Sequence, residues 1–182
     1  MRYDFRKATF EEATQIWDIL RKAIERRKSE GSKQWQDGYP NPDVIAGDIE
    51  KGVGYVLTEN KKIIGYSVVL KNDEPVYENI VGQWLTSGDF LVVHRVAIAD
   101  SHLRKGFAKE ILARVESLAL QNNIFSVKAD TNFDNPAMLR IFEQLGYVYC
   151  GKIHFRGSER LAYEKMISNA LSPTLHCTKK HS

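Results

Sequence analysis

Between Phe90 and Gln121 the chain passes from an apolar, β-branched run, through a short basic turn, into an amphipathic segment opening at Gly106. The run Phe90-Leu91-Val92-Val93-His94-Arg95-Val96-Ala97-Ile98 has the composition of a buried strand. After the turn, Phe107, Ile111, Val115, Leu118 and Ala119 recur at helical spacing. A helix N-terminus carries unpaired N–H groups and the positive end of the dipole, so it attracts phosphate. Gly106 lets backbone approach such a ligand, Ala108 keeps the first turn free of bulk, and Arg104 and Lys105 add positive charge. The same residues also suit a βα turn that is merely basic. Other phosphate cradles fit worse. There is no GxxxxGK[ST] run, and Gly52-Val53-Gly54 lacks the third glycine and precedes a strand.

The remaining chain supplies the elements to pack around this unit. Arg2–Arg6 alternates as a first strand, and Thr9 with Glu12 forms a capping-box pattern before a helix from Phe10 to about Lys28. Asn41-Pro42 opens a second helix over Asp43–Lys51. Tyr55–Thr58 and Ile63–Leu70 read as a hairpin, and Asn72–Gly88 as a long polar connection. Phe125–Ala129 is the next strand, Asn135-Pro136 caps a helix ending at Leu145-Gly146, and Tyr147–Ile153 and Leu161–Met166 close the sheet. Together these give one α/β domain over residues 1–167, a mixed sheet with helices on its faces, and a loose tail at 168–182.

Composition narrows the function. A net charge of +3 is too small to argue for nucleic acid but suits an anionic small ligand. Cys150 and Cys177 are too few and too far apart for a disulfide framework or a zinc site, so no metal is expected. The charged start, Met1–Phe5, has no apolar secretion signal, and no apolar run is long enough to span a bilayer. A cytoplasmic protein with neither membrane nor nucleic-acid partners is the expectation.

Two motifs carry a resemblance. The run Ile98–Ala108 resembles the acetyl-coenzyme-A motif of the GNAT N-acetyltransferases: a strand, then [Gln/Arg]-x-x-Gly-x-[Gly/Ala], then a helix. Downstream, Asn135-Pro136-Ala137-Met138 followed by Phe142 and Gly146-Tyr147 resembles that family's Asn-containing helix and its closing Gly-aromatic pair. The element order agrees over about residues 2–167. There are two departures: Leu103 stands where the family has Gln or Arg, and Phe142 where many relatives have the tyrosine that protonates the departing thiolate.

The resemblance implies a fold with two splayed parallel strands and direct transfer of an acetyl group from acetyl-coenzyme A to an amine, the acceptor being a small molecule. Alternatives are a non-catalytic acyl-coenzyme-A sensor, or acetylation of a protein lysine or N-terminus. By carry-over, the backbone of Val96, Ala97 and Ile98 holds the cofactor arm, Leu103, Arg104, Lys105, Gly106, Phe107 and Ala108 hold the pyrophosphate, and Asn135 meets the arm from the other side. His94 is the catalytic candidate for the base, placed by strand alternation on one face with Val96 and Ile98, and Arg95 then points to the other face. No residue is a good candidate for the acid: Tyr149 is one option, and protonation of the thiolate by water is the other. Trp35 and Tyr39, with Asp37 beside them, wall the acceptor pocket, and Trp84 and Tyr77 close its other side. The protein is expected to be a monomer or homodimer.

Overall fold

The strand expected at Phe90 forms the spine of the molecule. The computed structural model describes residues 3–168. One eight-stranded sheet holds β1 (Tyr3–Lys7), β2 (Gly54–Glu59), β3 (Lys62–Lys71), β4 (Val81–Gly82), β5 (Leu91–Ile98), β6 (Ser126–Thr131), β7 (Val148–Phe155) and β8 (Ser158–Met166). Their order is β1-β2-β3-β5-β6-β8-β7-β4. The helices are α1 (Ala13–Ser29), α2 (Pro42–Glu50), α3 (Phe107–Gln121) and α4 (Pro136–Leu145). The tail read at 168–182 lies, from residue 169 on, outside the described residues.

Each helix follows from its local chemistry. On α1, Ile16, Ile19, Leu20 and Ala23 form a buried stripe at three- and four-residue spacing. The Glu12 carboxylate accepts from Thr9 N–H (3.0 Å) and pairs with Arg6 (2.6 Å). That box closes a 3-10 turn at Phe10–Glu12, and α1 proper begins only at Ala13. Asn41 and Asn135 cap α2 and α4 by accepting from Val44 N–H (3.0 Å) and Met138 N–H (3.2 Å), each followed by proline.

Two layers cover the sheet. On one face α3 and α4 bury Ile111, Leu112, Val115 and Phe142 against Val93, Ile98, Val127 and Ala129. On the other, α1 and α2 pack on Val56, Tyr66, Val68 and Ala97, and the segment before β5 packs Tyr77 on Val92, Ile153 and Ala162.

That segment departs from the expected polar connection. Pro75–Asn79 is a 3-10 turn and Val81–Gly82 an edge strand on β7. Fully buried Glu164 of β8 anchors it, accepting from the N–H of Leu85 (2.6 Å), the hydroxyl of Thr86 (2.5 Å) and the hydroxyl of Ser126 (2.6 Å). A carboxylate so distant in sequence, on a strand that otherwise reads as alternating, gave no sign that it would order this loop.

Candidate active site

The parallel pair β5–β6 lasts only for Leu91↔Val127, Val92↔Lys128 and Val93↔Ala129. Past Val93 the two strands part, and a cleft opens between them. On its other edge β5 stays paired to β3, with Ala97 opposite Tyr66 and Ile98 opposite Gly65. Ala99 N–H donates to Ile64 C=O (2.9 Å). Backbone groups alternate sides along a strand, so Ala97 also turns to β3, and Val96 and Ile98 turn their N–H and C=O groups into the gap.

The opening coincides with a β-bulge. Tyr66 pairs with Ala97 but Val68 with His94, so Arg95 and Val96 together face Ser67, and Arg95 has φ 54°. The bulge overturns the expected alternation. Val93, Val96 and Ile98 belong to the α3–α4 face, and Val92, His94 and Ala97 to the opposite one. His94 therefore does not share a face with Val96 and Ile98. Arg95, expected to point away, lines the same cleft as His94.

His94 is held on two sides. Its Nε2 lies 2.5 Å from Glu74 Oε2, and its Nδ1 lies 3.6 Å from Asp130 Oδ1. Tyr77 donates to Asp130 Oδ1 (2.8 Å), and Arg160 donates to Asp130 Oδ2 (3.1 Å). Burial, then the charge of Asp130, pushes the Tyr77 hydroxyl well up, so it stays a donor. A neutral imidazole whose Nε2–H donates to Glu74 has its acceptor nitrogen, Nδ1, on the Asp130 side. Glu74 and Asp130 had no signal in the sequence beyond being acidic, and the fold brings them to His94 from positions 20 and 36 residues away.

Arg95 forms a bidentate pair with Asp48 (2.7 and 3.1 Å) and donates to the Tyr39 hydroxyl. Burial raises the Tyr39 hydroxyl above its ordinary range. Trp35 and Tyr39, from the α1–α2 loop, both line the cleft. Asp37 instead pairs with Arg156 (2.8 Å) in the β7–β8 turn, and Tyr39 meets Phe155 of the same hairpin edge-on. Trp84 is not in this cleft. It packs on Tyr77 with the two rings tilted, donates to Tyr77 C=O (2.9 Å), and lines a second hollow of about 620 Å³, where buried Lys128 lies over its ring and that of Phe90. Tyr149 is half exposed on β7, packs on Tyr163 and lies outside the cleft, so it is no acid for this site.

At the far end of β5 the chain turns through Leu103 into α3. Gly106, at φ 85°, precedes the helix, and nothing lies within 4 Å of where a Cβ would be. Arg104 (φ 60°) and Lys105 are exposed, with Lys105 Nζ donating to Ser101 C=O (2.8 Å). Leu103, Phe107 and Ala108 turn into the α3 core. Asn135 caps α4 and donates to Gln34 (3.0 Å) from the cleft wall. Phe142, fully buried, lines the cleft from α4.

A profile of the acetyltransferase (GNAT) family matches residues 14–147. The chain belongs to this family. A GNAT-family acetyltransferase from Streptococcus agalactiae is 34% identical with a TM-score of 0.84, over 92% of this chain and 96% of that one. Two further structures share the fold. A GNAT-family acetyltransferase from Listeria monocytogenes is 17% identical (TM-score 0.73, 91% and 95% covered). The yncA protein of Salmonella typhimurium, solved with its cofactor acetyl-CoA, is also 17% identical (TM-score 0.63, 96% and 99% covered). No curated protein matches the chain. The mixed sheet with one splayed parallel pair is the GNAT architecture that the two sequence motifs implied. Among the described residues no group of His, Cys, Asp and Glu is gathered to hold a metal, and no helix is long and apolar enough to cross a membrane.

Proposed function

We propose that this GNAT protein transfers the acetyl group of acetyl-coenzyme A directly to the amine of a small molecule. The observation that carries the reading is the parting of β5 and β6 after Val93, with His94 and its two carboxylates at the point of opening. The pyrophosphate meets the free N–H groups at the start of α3, beside Gly106 and Arg104. From there the arm runs back along β5, where the outward backbone groups of Val96 and Ile98 are its partners. It must stop where the strands close, which brings the thioester beside His94.

The acceptor amine loses a proton to His94 Nδ1 as its nitrogen attacks the thioester carbonyl carbon. Glu74 and Asp130 flank the imidazolium that forms and stabilise it. A small acceptor fits better than a protein segment because the cleft is roofed. The Asp37–Arg156 pair and the Tyr39–Phe155 contact tie the α1–α2 loop to the β7–β8 turn across it.

A thiol-release assay with acetyl-coenzyme A and a panel of small amines, run beside a lysine peptide, tests this. Release is expected with at least one small amine. Release with the peptide alone would overturn the small acceptor, and none with any amine would favour a sensor over an enzyme.

A further inference from the structure

The family resemblance leaves the leaving sulfur without a donor, since Phe142 has no hydroxyl. Thr131 ends β6 two residues beyond the last pair that β6 makes with β5. It is 2% exposed, lines the cleft, and its Oγ1 has no hydrogen-bond partner among the described residues. Leaving a buried hydroxyl unpaired costs about 1–3 kcal/mol, so such an atom calls for an explanation.

Its face supplies one. β6 pairs with β8 without a register shift, so its side chains alternate strictly. Val127 and Ala129 lie in the α3–α4 core, whereas Lys128 and Asp130 face Trp84 and Tyr77. Thr131 therefore lies on the α3–α4 face, the side from which Phe142 lines the cleft, and His94 lies on the opposite face. The place where the arm must stop has a base on one side of the sheet and an unpaired hydroxyl on the other.

We infer that Thr131 Oγ1 donates a hydrogen bond to the coenzyme-A sulfur as it departs. The inference rests on the acetyl-transfer reading. The amine nitrogen bonds to the carbonyl carbon from the His94 face, and its proton passes to Nδ1. The carbon–sulfur bond breaks with its electron pair going to sulfur on the Thr131 face. Threonine keeps its proton: an alcohol is far too weak an acid to surrender it to a thiolate, and the hydrogen bond alone stabilises the developing charge. Thr131 thus takes over part of the role lost with the tyrosine.

The test uses the full chain and free coenzyme A, and it needs no acceptor. The ultraviolet absorbance of the bound thiolate is followed against pH for the wild type, Thr131→Val and Thr131→Ser. The titratable and charged groups lining the cleft are Tyr39 from the α1–α2 loop, His94 and Arg95 from β5, Asp130 from β6 and Arg160 from β8, and valine alters none of them. Losing a donor to the charged sulfur should raise the bound thiol's titration by about one unit or more in the valine variant. Serine should restore most of the shift. With an accepted amine, kcat of the valine variant should fall about tenfold or more while the acetyl-coenzyme-A KM holds. An unchanged titration in Thr131→Val, with coenzyme A shown by melting to be bound, would overturn the role of Thr131. Absence of coenzyme-A binding by the wild type would overturn the transfer reading itself.

Discussion

Gly106→Glu should lose acetyl-coenzyme A, its dissociation constant rising by ~100-fold or more, with the fold intact. The glycine sits at φ 85° immediately before α3, so any other residue there costs about 1–2 kcal/mol in backbone strain. That is a loss of only a few degrees in melting temperature for a chain of this size. Nothing lies within 4 Å of where a Cβ would stand, so the substitution adds, without a clash at the Cβ, a carboxylate at the helix N-terminus. That is where the pyrophosphate is proposed to bind, and a carboxylate there repels it and competes for the same N–H groups. Calorimetric titration of the variant, beside its melting curve, checks both halves. Tight binding by a folded Gly106→Glu protein would show that the phosphates lie elsewhere.

His94→Ala should lower kcat by about 100-fold or more, because a positioned base contributes about that much to proton transfer. Affinity for acetyl-coenzyme A should stay close to the wild-type value, since His94 faces away from α3 and its cradle. That split separates a base from a packing residue. The substitution also removes the partner of Glu74, a carboxylate whose side chain is only 10% exposed, so some loss of stability accompanies it. Initial rates at saturating cofactor, with binding measured separately, decide the matter. A variant at full rate would make the His94–Glu74 pair purely structural.

How much of this was legible in the sequence varied with the range of the interaction. The βα turn, the asparagine caps of α2 and α4 and the apolar stripe of α1 are local, and pattern and capping chemistry place them within a few residues. The bulge at Arg95 is not local. It arises because β3 and β5 disagree by one residue in register, and it reverses the parity on which the face of His94 was argued. Asp37 looked available to an acceptor only because Arg156, 119 residues on, could not be seen to reach it. Trp84 looked like a cleft wall for the same reason: Lys128, 44 residues on, lies over its ring, and Glu164, 80 residues on, holds the loop beside it. Thr131 had no motif at all. It matters through what it lacks, a partner for a buried hydroxyl, and that becomes visible only when every neighbour is in place.

Acetyl-coenzyme A is the proposed ligand of the gap between β5 and β6 and of the start of α3. The most direct test is the melting temperature of the full chain with and without that ligand. At ~100-fold excess over the dissociation constant the ligand should stabilise the fold by ~2.7 kcal/mol. For a chain of this length that corresponds to a rise of roughly 5–10 °C. A rise of that size that disappears in Gly106→Glu is the predicted result. No rise at millimolar acetyl-coenzyme A would contradict the account at its root and leave the cleft without its proposed ligand.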